Sequence, residues 1–418
     1  MGESKDMKLT AKHIFFDTVL LFLLVFSGGG LLFVFNRKLC SIVLFFIALF
    51  VISFMGKKIK TSTFNASLFS FISLFIVVIL NYLTSIGNQE IIKYSFHLLN
   101  ISSCVLICTH FINNRTQVYF LLRIKFIFRA ILFYSIVNFL FYIVVKDSLT
   151  QIVYNSDKIM YTFHQIFFYN PEKSAFYLLG IEFVRNQGWF WEPGINQIYL
   201  NILLYLEGFV FKRNKWIILL IVLAIFTTYS TTGIVIMMIV LVVIFQSSIK
   251  RNPILILLAM GVVIPLYFIA KTNVEEKLNT SSFQKRYFDF IQTLSIAQDY
   301  PLTGIGLDGN YFADFRSAYT MNDEFRQKIE QSTNFESKAK STEKGSSNSI
   351  TYLIAALGFP VSFFLFYCLF KQMLFIHKKG IFMTIVFISV FSEPLLLRPF
   401  FLILIVSGMI SFFSKFTK

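Results

Sequence analysis

The chain is built from blocks of about 20 mostly apolar residues, each long enough as a helix to cross the hydrocarbon core of a bilayer, separated by short polar turns. Lipid offers no water to backbone N–H and C=O groups, so such a block must satisfy them internally as an α-helix. Of the 418 residues, 56% are hydrophobic and only 14% charged, whereas a soluble domain carries about 25% charge. The sequence therefore predicts an all-α integral membrane protein. Apolar blocks fall near 14–35, 39–55, 64–85, 92–112, 124–145, 194–211, 216–230, 233–247, 254–270, 350–370, 381–396 and 398–414, which predicts about 12 transmembrane helices. The first block runs into Gly28-Gly29-Gly30 and then more apolar sequence, so it reads as a retained span and not a cleaved signal peptide.

A formal charge of +16 would suit nucleic acid if the basic residues formed one patch. They recur instead between apolar blocks, at Lys57-Lys58-Ile59-Lys60, Lys212-Arg213-Asn214-Lys215, Lys250-Arg251 and Lys378-Lys379. Cytoplasmic loops retain Lys and Arg in this way. With the N-terminus inside, an even number of spans returns the C-terminus to the cytoplasm and puts each of these clusters there. Nearly every Asp and Glu then lies on the outer side, the exceptions being Glu3, Asp6, Asp17 and Glu207. The charge is thus a topology signal, and no nucleic-acid partner is expected. Cys40, Cys104, Cys108 and Cys368 lie in or beside apolar blocks, so no disulfide framework holds the outer loops. Cys104, Cys108 and His110 share one apolar helix without a second ligand pair, and neither a metal site nor a cofactor is expected.

The chain divides into N-terminal membrane helices (1–145), a first large outer loop (146–193), central membrane helices (194–270), a second outer loop (271–349) and C-terminal membrane helices (350–418). Within the second loop, apolar residues at 283, 287, 290, 291 and 294 follow a helical period, which predicts a short amphipathic helix along the membrane interface. Ser281 or Ser282 is placed to cap it.

Chemistry-bearing residues cluster at the ends of these loops. The first loop closes on Arg185-Asn186-Gln187-Gly188-Trp189-Phe190-Trp191-Glu192-Pro193-Gly194. An interfacial aromatic belt with Pro193 opening a helix explains the aromatic residues. It leaves Arg185 and the polar Asn196 and Gln197 unexplained, and polar groups at membrane depth usually line a cavity. On the interfacial helix, Lys285-Arg286-Tyr287 reads either as a solvated face, with Lys285 paired to Asp289, or as a phosphate grip through the planar fork of Arg286. Gly304, Gly306 and Gly309 formally match a dinucleotide fingerprint, but Pro301 precedes them and no βαβ unit surrounds them. A tight turn holding the loop against the membrane domain is expected there. Asn348 in Ser346-Ser347-Asn348-Ser349 suits either a helix cap or a substrate contact. Glu393 and Arg398 flank an outer helix junction, as an ion pair or as a catalytic or sugar-binding carboxylate beside a cation.

Taken in order, these motifs resemble the bacterial O-antigen polymerase (Wzy) and O-antigen ligase superfamily. The similar features are Arg-x-x-Gly-x-Phe-x-Glu-Pro-Gly over Arg185 to Gly194 and Ser230-Thr231-Thr232-Gly233 between two spans. Arg286 then precedes Pro301-x-x-Gly304-x-Gly306, and Ser347-Asn348-Ser349 opens a span that runs through Leu357-Gly358. The resemblance covers roughly 180–395. It implies a GT-C-like architecture with two large extracytoplasmic loops, in a bacterial inner membrane with the site facing the periplasm. The implied substrate is an undecaprenyl-diphosphate-linked oligosaccharide, with a chain-length regulator protein as a partner.

By this resemblance Arg185 and Arg286 stabilise the diphosphate without metal, and Glu192 or Glu393 is the general base. Trp189 and Trp191 stack on sugar or prenyl chain, while Asn196, Tyr287, Asn348 and Arg398 contact substrate. Ligases of the superfamily place a His beside the Asn of the last motif, and Ser347 stands there instead. The departure favours the polymerase over the ligase. A transporter or flippase is the alternative from another class, but the paired interrupted repeats such proteins often carry are not evident.

Overall fold

A computed structural model describes residues 10–56, 58–155, 158–178, 181–251, 281–319 and 346–417. The N-terminal part comprises helices α1 (Ala11–Phe26), α2 (Leu31–Phe35), α3 (Arg37–Phe50, extended by a π-helical turn Val51–Met55), α4 (Thr61–Thr84), α5 (Ile91–Asn114) and α6 (Gln117–Val145). After the first outer segment come α8 (Pro193–Tyr205, extended by a π-helical turn Leu206–Val210), α9 (Lys215–Thr227) and α10 (Thr231–Arg251). The second outer segment contributes α11 (Ser281–Asp299) and α12 (Gly309–Ala318), and the chain ends with α13 (Ser349–Lys371), α14 (Lys379–Ser392) and α15 (Pro399–Phe413).

Among the described residues, five helical stretches are long and apolar enough to cross a membrane: Arg37–Met55, Thr61–Thr84, Ile91–Asn114, Gln117–Ser148 and Ser349–Lys371. Shorter apolar helices run over Lys215–Thr227, Thr231–Gln246, Lys379–Ser392 and Pro399–Phe413. At about 1.5 Å per residue, the 13 residues of α9 reach about 20 Å, less than a hydrocarbon core. The expected block 254–270 lies outside the described residues. The expected span 14–35 is broken, since α1 stops at Phe26 and the chain turns through Gly28–Gly30 before α2. Large apolar side chains such as Phe46, Phe54, Phe126 and Phe133 point outward, as on a lipid-facing surface.

The helical chain also carries short strands between α6 and α8. There β1 (Thr150–Asn155), β2 (Lys158–Phe163) and β3 (Phe167–Tyr169) form an antiparallel sheet of order β1-β2-β3. A short helix α7 (Pro171–Ser174) leads to the hairpin β4 (Ala175–Leu178) and β5 (Ile181–Val184). The local sequence is rich in β-branched and aromatic residues and lacks a helical period, so pairing neighbouring segments is the available way to satisfy the backbone. Tyr134 Oη and Tyr169 Oη join this sheet to α6 by donating to the Ile166 and Asn138 carbonyls.

The basic turns gather at one end of the bundle, where Lys60 N donates to Asn113 Oδ1 (3.0 Å) and Gln117 Nε2 to the Leu374 carbonyl (2.9 Å). Buried acids near this end are neutralised in place. Asp17 is bonded by His110 Nε2 (2.9 Å), Arg115 Nε (2.6 Å) and Tyr119 Oη (3.0 Å), and Glu207 pairs with Arg129 (2.6 Å). Burial of a carboxylate is tolerated only with such partners. Cys104 and Cys108 bond separately to the Pro399 and Ile403 carbonyls, seaming α5 to α15.

At the opposite end the second outer segment is bolted to the bundle through a break in α13. Pro360 has no N–H for the Ala356 carbonyl, and Phe359 N donates to the Pro301 carbonyl (2.7 Å) instead of to Ala355. The carbonyls thus released at Ala355 and Ala356 accept from Ile305 N (2.9 Å) and Gly306 N (3.1 Å), and Asn81 Nδ2 also donates to Ala356 (2.8 Å). Gly304, Gly306 and Gly358 have φ of 66°, 117° and 75°, and at each an added Cβ would run into a neighbour. This is the tight turn expected of the motif, and it docks on α13.

Candidate functional site

Residues 185–191 re-enter the bundle as an irregular segment, turning at Gly188, between the α1–α2 break and the α9–α10 turn. Leu31 N donates to the Trp189 carbonyl (2.9 Å) and Trp191 N to the Gly29 carbonyl (3.1 Å). On the other side, Asn186 N donates to the Thr227 carbonyl (2.9 Å) and Arg185 Nε to the Thr228 carbonyl (3.0 Å). Arg185 is half-buried and held by the turn that carries Ser230 and Thr231, so two of the expected motifs meet here.

The aromatic residues expected to stack on substrate are engaged mainly with the protein. Trp189 lies face to face with Tyr134 (4.2 Å between centroids), Phe190 with Tyr199 (4.5 Å), and Trp191 meets Phe35 edge-on (6.2 Å). Asn196 is fully buried, accepting from Ser135 Oγ and donating to the Asn186 carbonyl. Its amide fixes the loop that carries Arg185, which accounts for a polar residue inside a span. Gln197 and Asn201 pair likewise, and Asn201 Nδ2 also reaches the Gly233 carbonyl (3.1 Å).

The two candidate carboxylates occupy different surroundings. Glu192 is exposed and is the N-terminal cap residue of α8, its carbonyl accepting from Ile195 N and Asn196 N. Glu393 is 6% exposed. Its Oε1 lies 2.5 Å from the point a Cβ on Gly194 would occupy, so the carboxylate rests against the first turn of α8. That end of a helix carries uncompensated N–H groups and a partial positive charge, which suits an anion. Glycine at 194 is what lets the carboxylate come so close.

The backbone around Glu393 is clamped by Ser349. Its hydroxyl donates to the Glu393 carbonyl (2.6 Å) and accepts from Leu395 N (2.7 Å) and Leu396 N (3.2 Å). Ser349 opens α13 and is held by the cap before it, where Asn348 Oδ1 accepts from Ile350 N (2.8 Å) and Thr351 N (3.3 Å). Asn348 is therefore a cap, while its Nδ2 is buried with no hydrogen-bond partner. A buried donor in that state is costly unless something else accepts from it. Arg398 occupies the cap position of α15 without a side-chain capping bond.

The second outer segment reaches the same place. In α11, Phe290 packs on Phe391 (5.6 Å), two residues before Glu393, and Thr293 Oγ1 donates to Thr351 Oγ1 (2.7 Å). Asp289 is paired with Arg316 (2.6 Å) and accepts from Ser347 N (3.2 Å), which ties α11, α12 and the start of α13 into one unit. Arg286 and Tyr287 lie one turn upstream of this contact on the same helix. Their side chains, and that of Lys285, lie outside the described residues, as does any capping by Ser281 or Ser282. Arg185, Glu393, Asn348 and the backbone of α11 thus gather at one end of the bundle.

Other polar anchors at that end carry no motif. Tyr94 Oη donates to Gln89 Oε1 (2.8 Å), and its oxygen accepts from Leu307 N (2.9 Å). Gln89 Nε2 donates to the Ile305 carbonyl (2.6 Å), and Asp308 Oδ2 accepts from Glu90 N (3.0 Å). The signal for them was polar residues where α4 ends and α5 begins, next to a loop that needed a floor.

Residues 216–366 match the family described as O-Antigen ligase, from α9 through most of α13. The matched stretch takes in the α9–α10 turn, α11, the Gly304–Gly306 turn and the Asn348 cap. No curated protein and no solved structure matches the chain.

Proposed function

We propose that this chain, placed in the O-antigen ligase and polymerase superfamily by its match over residues 216–366, polymerises undecaprenyl-diphosphate-linked oligosaccharide repeat units at the outer face of a bacterial inner membrane. One observation carries the reading: a buried carboxylate, Glu393, is seated against the start of α8 where both outer segments converge. A glycosyl transfer there needs a base for the acceptor hydroxyl and cations for the leaving diphosphate. Glu393 takes the hydroxyl proton as that oxygen attacks the anomeric carbon of the growing chain. The bond from that carbon to the diphosphate breaks, and undecaprenyl diphosphate departs with the electron pair. Arg185 and Arg286 stabilise its charge, and Asn348 Nδ2 donates to a substrate oxygen. Ser347, where the superfamily's ligases carry His, favours polymerase over ligase.

The test uses lipid-linked repeat units and the purified full-length protein in detergent, without a gradient, so that elongation also separates this reading from transport. Glu393→Gln is expected to abolish the glycan ladder and Glu192→Gln to leave it within about threefold, consistent with a base contribution of about a hundredfold or more. Equal loss in both variants, or none in either, overturns the assignment of the base. Deleting the gene separates the ligase: a polymerase mutant keeps one repeat unit on its acceptor, and a ligase mutant keeps none.

A further inference from the structure

Two buried amides on α8 join the surroundings of Glu393 to those of Arg185. Gln197 and Asn201 are both fully buried. Gln197 Nε2 donates to the carbonyl of Gly194 (2.9 Å), the residue whose missing side chain leaves room for Glu393. Asn201 Nδ2 donates to Gln197 Oε1 (2.9 Å) and to the carbonyl of Gly233 (3.1 Å) in the first turn of α10. Gly233 N donates to Ser230 Oγ (3.4 Å), and two residues before Ser230 the Thr228 carbonyl accepts from Arg185 Nε (3.0 Å). This chain of bonds starts beside Glu393 and ends at the turn that grips Arg185.

Packing alone does not call for these amides. Ile198, Ile202 and Leu204 on the same helix are as deeply buried with apolar side chains, and a polar group inside a membrane bundle is costly until it is bonded. Asn201 leaves its Oδ1 buried without a hydrogen-bond partner, so its donor is what offsets that cost. The fit is also close. A Cβ on Gly233 would lie 2.8 Å from Gln197 Cβ and 2.9 Å from its Oε1, so α10 reaches Gln197 only because residue 233 has no side chain. Tyr229, inside the turn, has a φ of 49°, a left-handed geometry that a residue with a side chain keeps only when its surroundings impose it. Because α8 packs on both α10 and α14, the helix that leads to Glu393, a shift on either side of the two amides changes the spacing of the two charges.

We propose that Gln197 and Asn201 are positioning residues that set the separation between Glu393 and Arg185. This rests on the glycosyl-transfer reading and deepens it. The base must reach the acceptor hydroxyl while the cation reaches the departing diphosphate, and a misplacement of about 1 Å costs on the order of a hundredfold in rate.

The experiment compares Asn201→Leu and Gln197→Met, which remove the donors and keep similar shapes, in the full-length protein. It measures kcat for repeat-unit elongation per folded protein, and amide hydrogen exchange. Exchange across residues 227–234 in Asn201→Leu is expected to rise about tenfold, the change for one lost bond of this kind. In each variant kcat should fall about tenfold or more. The double variant should lose no more than the worse single one, because both amides act through one chain of bonds. Gly194→Ala moves Glu393 directly, so in that background Gln197→Met should cost less than it does in the parent. Where Asn201→Leu does not fold, Gln197→Met supplies both readouts.

Parental kcat per folded protein in the variants overturns the positioning role, whatever happens to the melting temperature, because the amides would then serve helix packing alone. Fully additive losses in either double variant also overturn it. A wild-type protein that elongates no repeat units overturns glycosyl transfer, and faster exchange in Asn201→Leu then still shows α8 tied to the α9–α10 turn. Unchanged exchange in a protein that does elongate overturns the tie and leaves glycosyl transfer standing.

Discussion

Gly194→Ala separates the position of Glu393 from the stability of the fold. The new Cβ would sit 2.5 Å from Glu393 Oε1, and ordinary contact begins at 3.4 Å, so the carboxylate must retreat by 3.4 − 2.5 = 0.9 Å. The obstacle is the end of a side chain and Gly194 has helical geometry, so the backbone need not move. Replacing Gly by Ala inside a helix contributes about 0.5–1 kcal/mol of stability, which offsets part of any local cost. Misplacing a catalytic group by about 1 Å costs on the order of a hundredfold in rate, or about 2.7 kcal/mol of barrier. The variant should therefore melt within a few degrees of the parent while repeat-unit elongation falls about a hundredfold. Gly380→Ala is the control, since a Cβ there meets nothing within 4 Å at the far end of α14, the helix that leads to Glu393. It should keep full turnover. A Gly194→Ala protein that elongates at the parental rate would refute the reasoning, because Glu393 would then be free to move without consequence.

Three further perturbations test the supports. Ser349→Ala removes three hydrogen bonds around Glu393 and strands the buried Leu396 N, while Leu395 N keeps the Glu393 carbonyl, so a loss of about 1–3 kcal/mol in chemical unfolding and a reduced elongation rate are expected. Gly358→Ala forces a φ of 75° on a residue with a side chain and drives its Cβ into the Leu302 backbone, so the protein should lose yield or melt well below the parent, by about 1–3 kcal/mol for the dihedral alone. Asp17→Ala leaves His110 and Arg115 without their carboxylate, which predicts about 3–5 kcal/mol of destabilisation, while Michaelis constants measured on whatever protein folds stay unchanged because the site lies at the other end of the bundle.

Where the physics is one-dimensional, the fold could be read from residue order. Apolar block length predicts a helix because bilayer thickness and backbone satisfaction leave no alternative, and α4, α5, α6 and α13 follow from it closely. The break at Gly28–Gly30 could not be read that way. There Leu31 N and the Gly29 carbonyl pair with the backbone of Trp189 and Trp191, more than 150 positions later, around a single bridge between Gly30 and Phe190. The strands of the first outer segment were missed for a related reason: short runs such as Thr150 to Asn155 acquire their conformation from a partner strand, and register is a pairwise property. At the candidate site, Arg185 and Glu393 stand out in the sequence because their charge is unusual beside a span. A basic residue beside a membrane helix is also what a topology signal looks like.

That ambiguity has a physical resolution. A basic residue that only marks topology sits in water, where its charge is solvated and its neighbours are irrelevant. Lys212 and Lys215 fit that description, exposed in a turn at the basic end of the bundle. Arg185 differs: it is half-buried at the opposite end, and its Nε donates to the Thr228 carbonyl (3.0 Å). At the same end, Glu393 stands at the start of α8 and Asn348 Nδ2 is buried without a hydrogen-bond partner. The glycosyl transfer we propose, from a lipid diphosphate to a sugar hydroxyl of a second lipid-linked unit, uses a carboxylate held in that way as its base, and a pore for passive movement has no use for one.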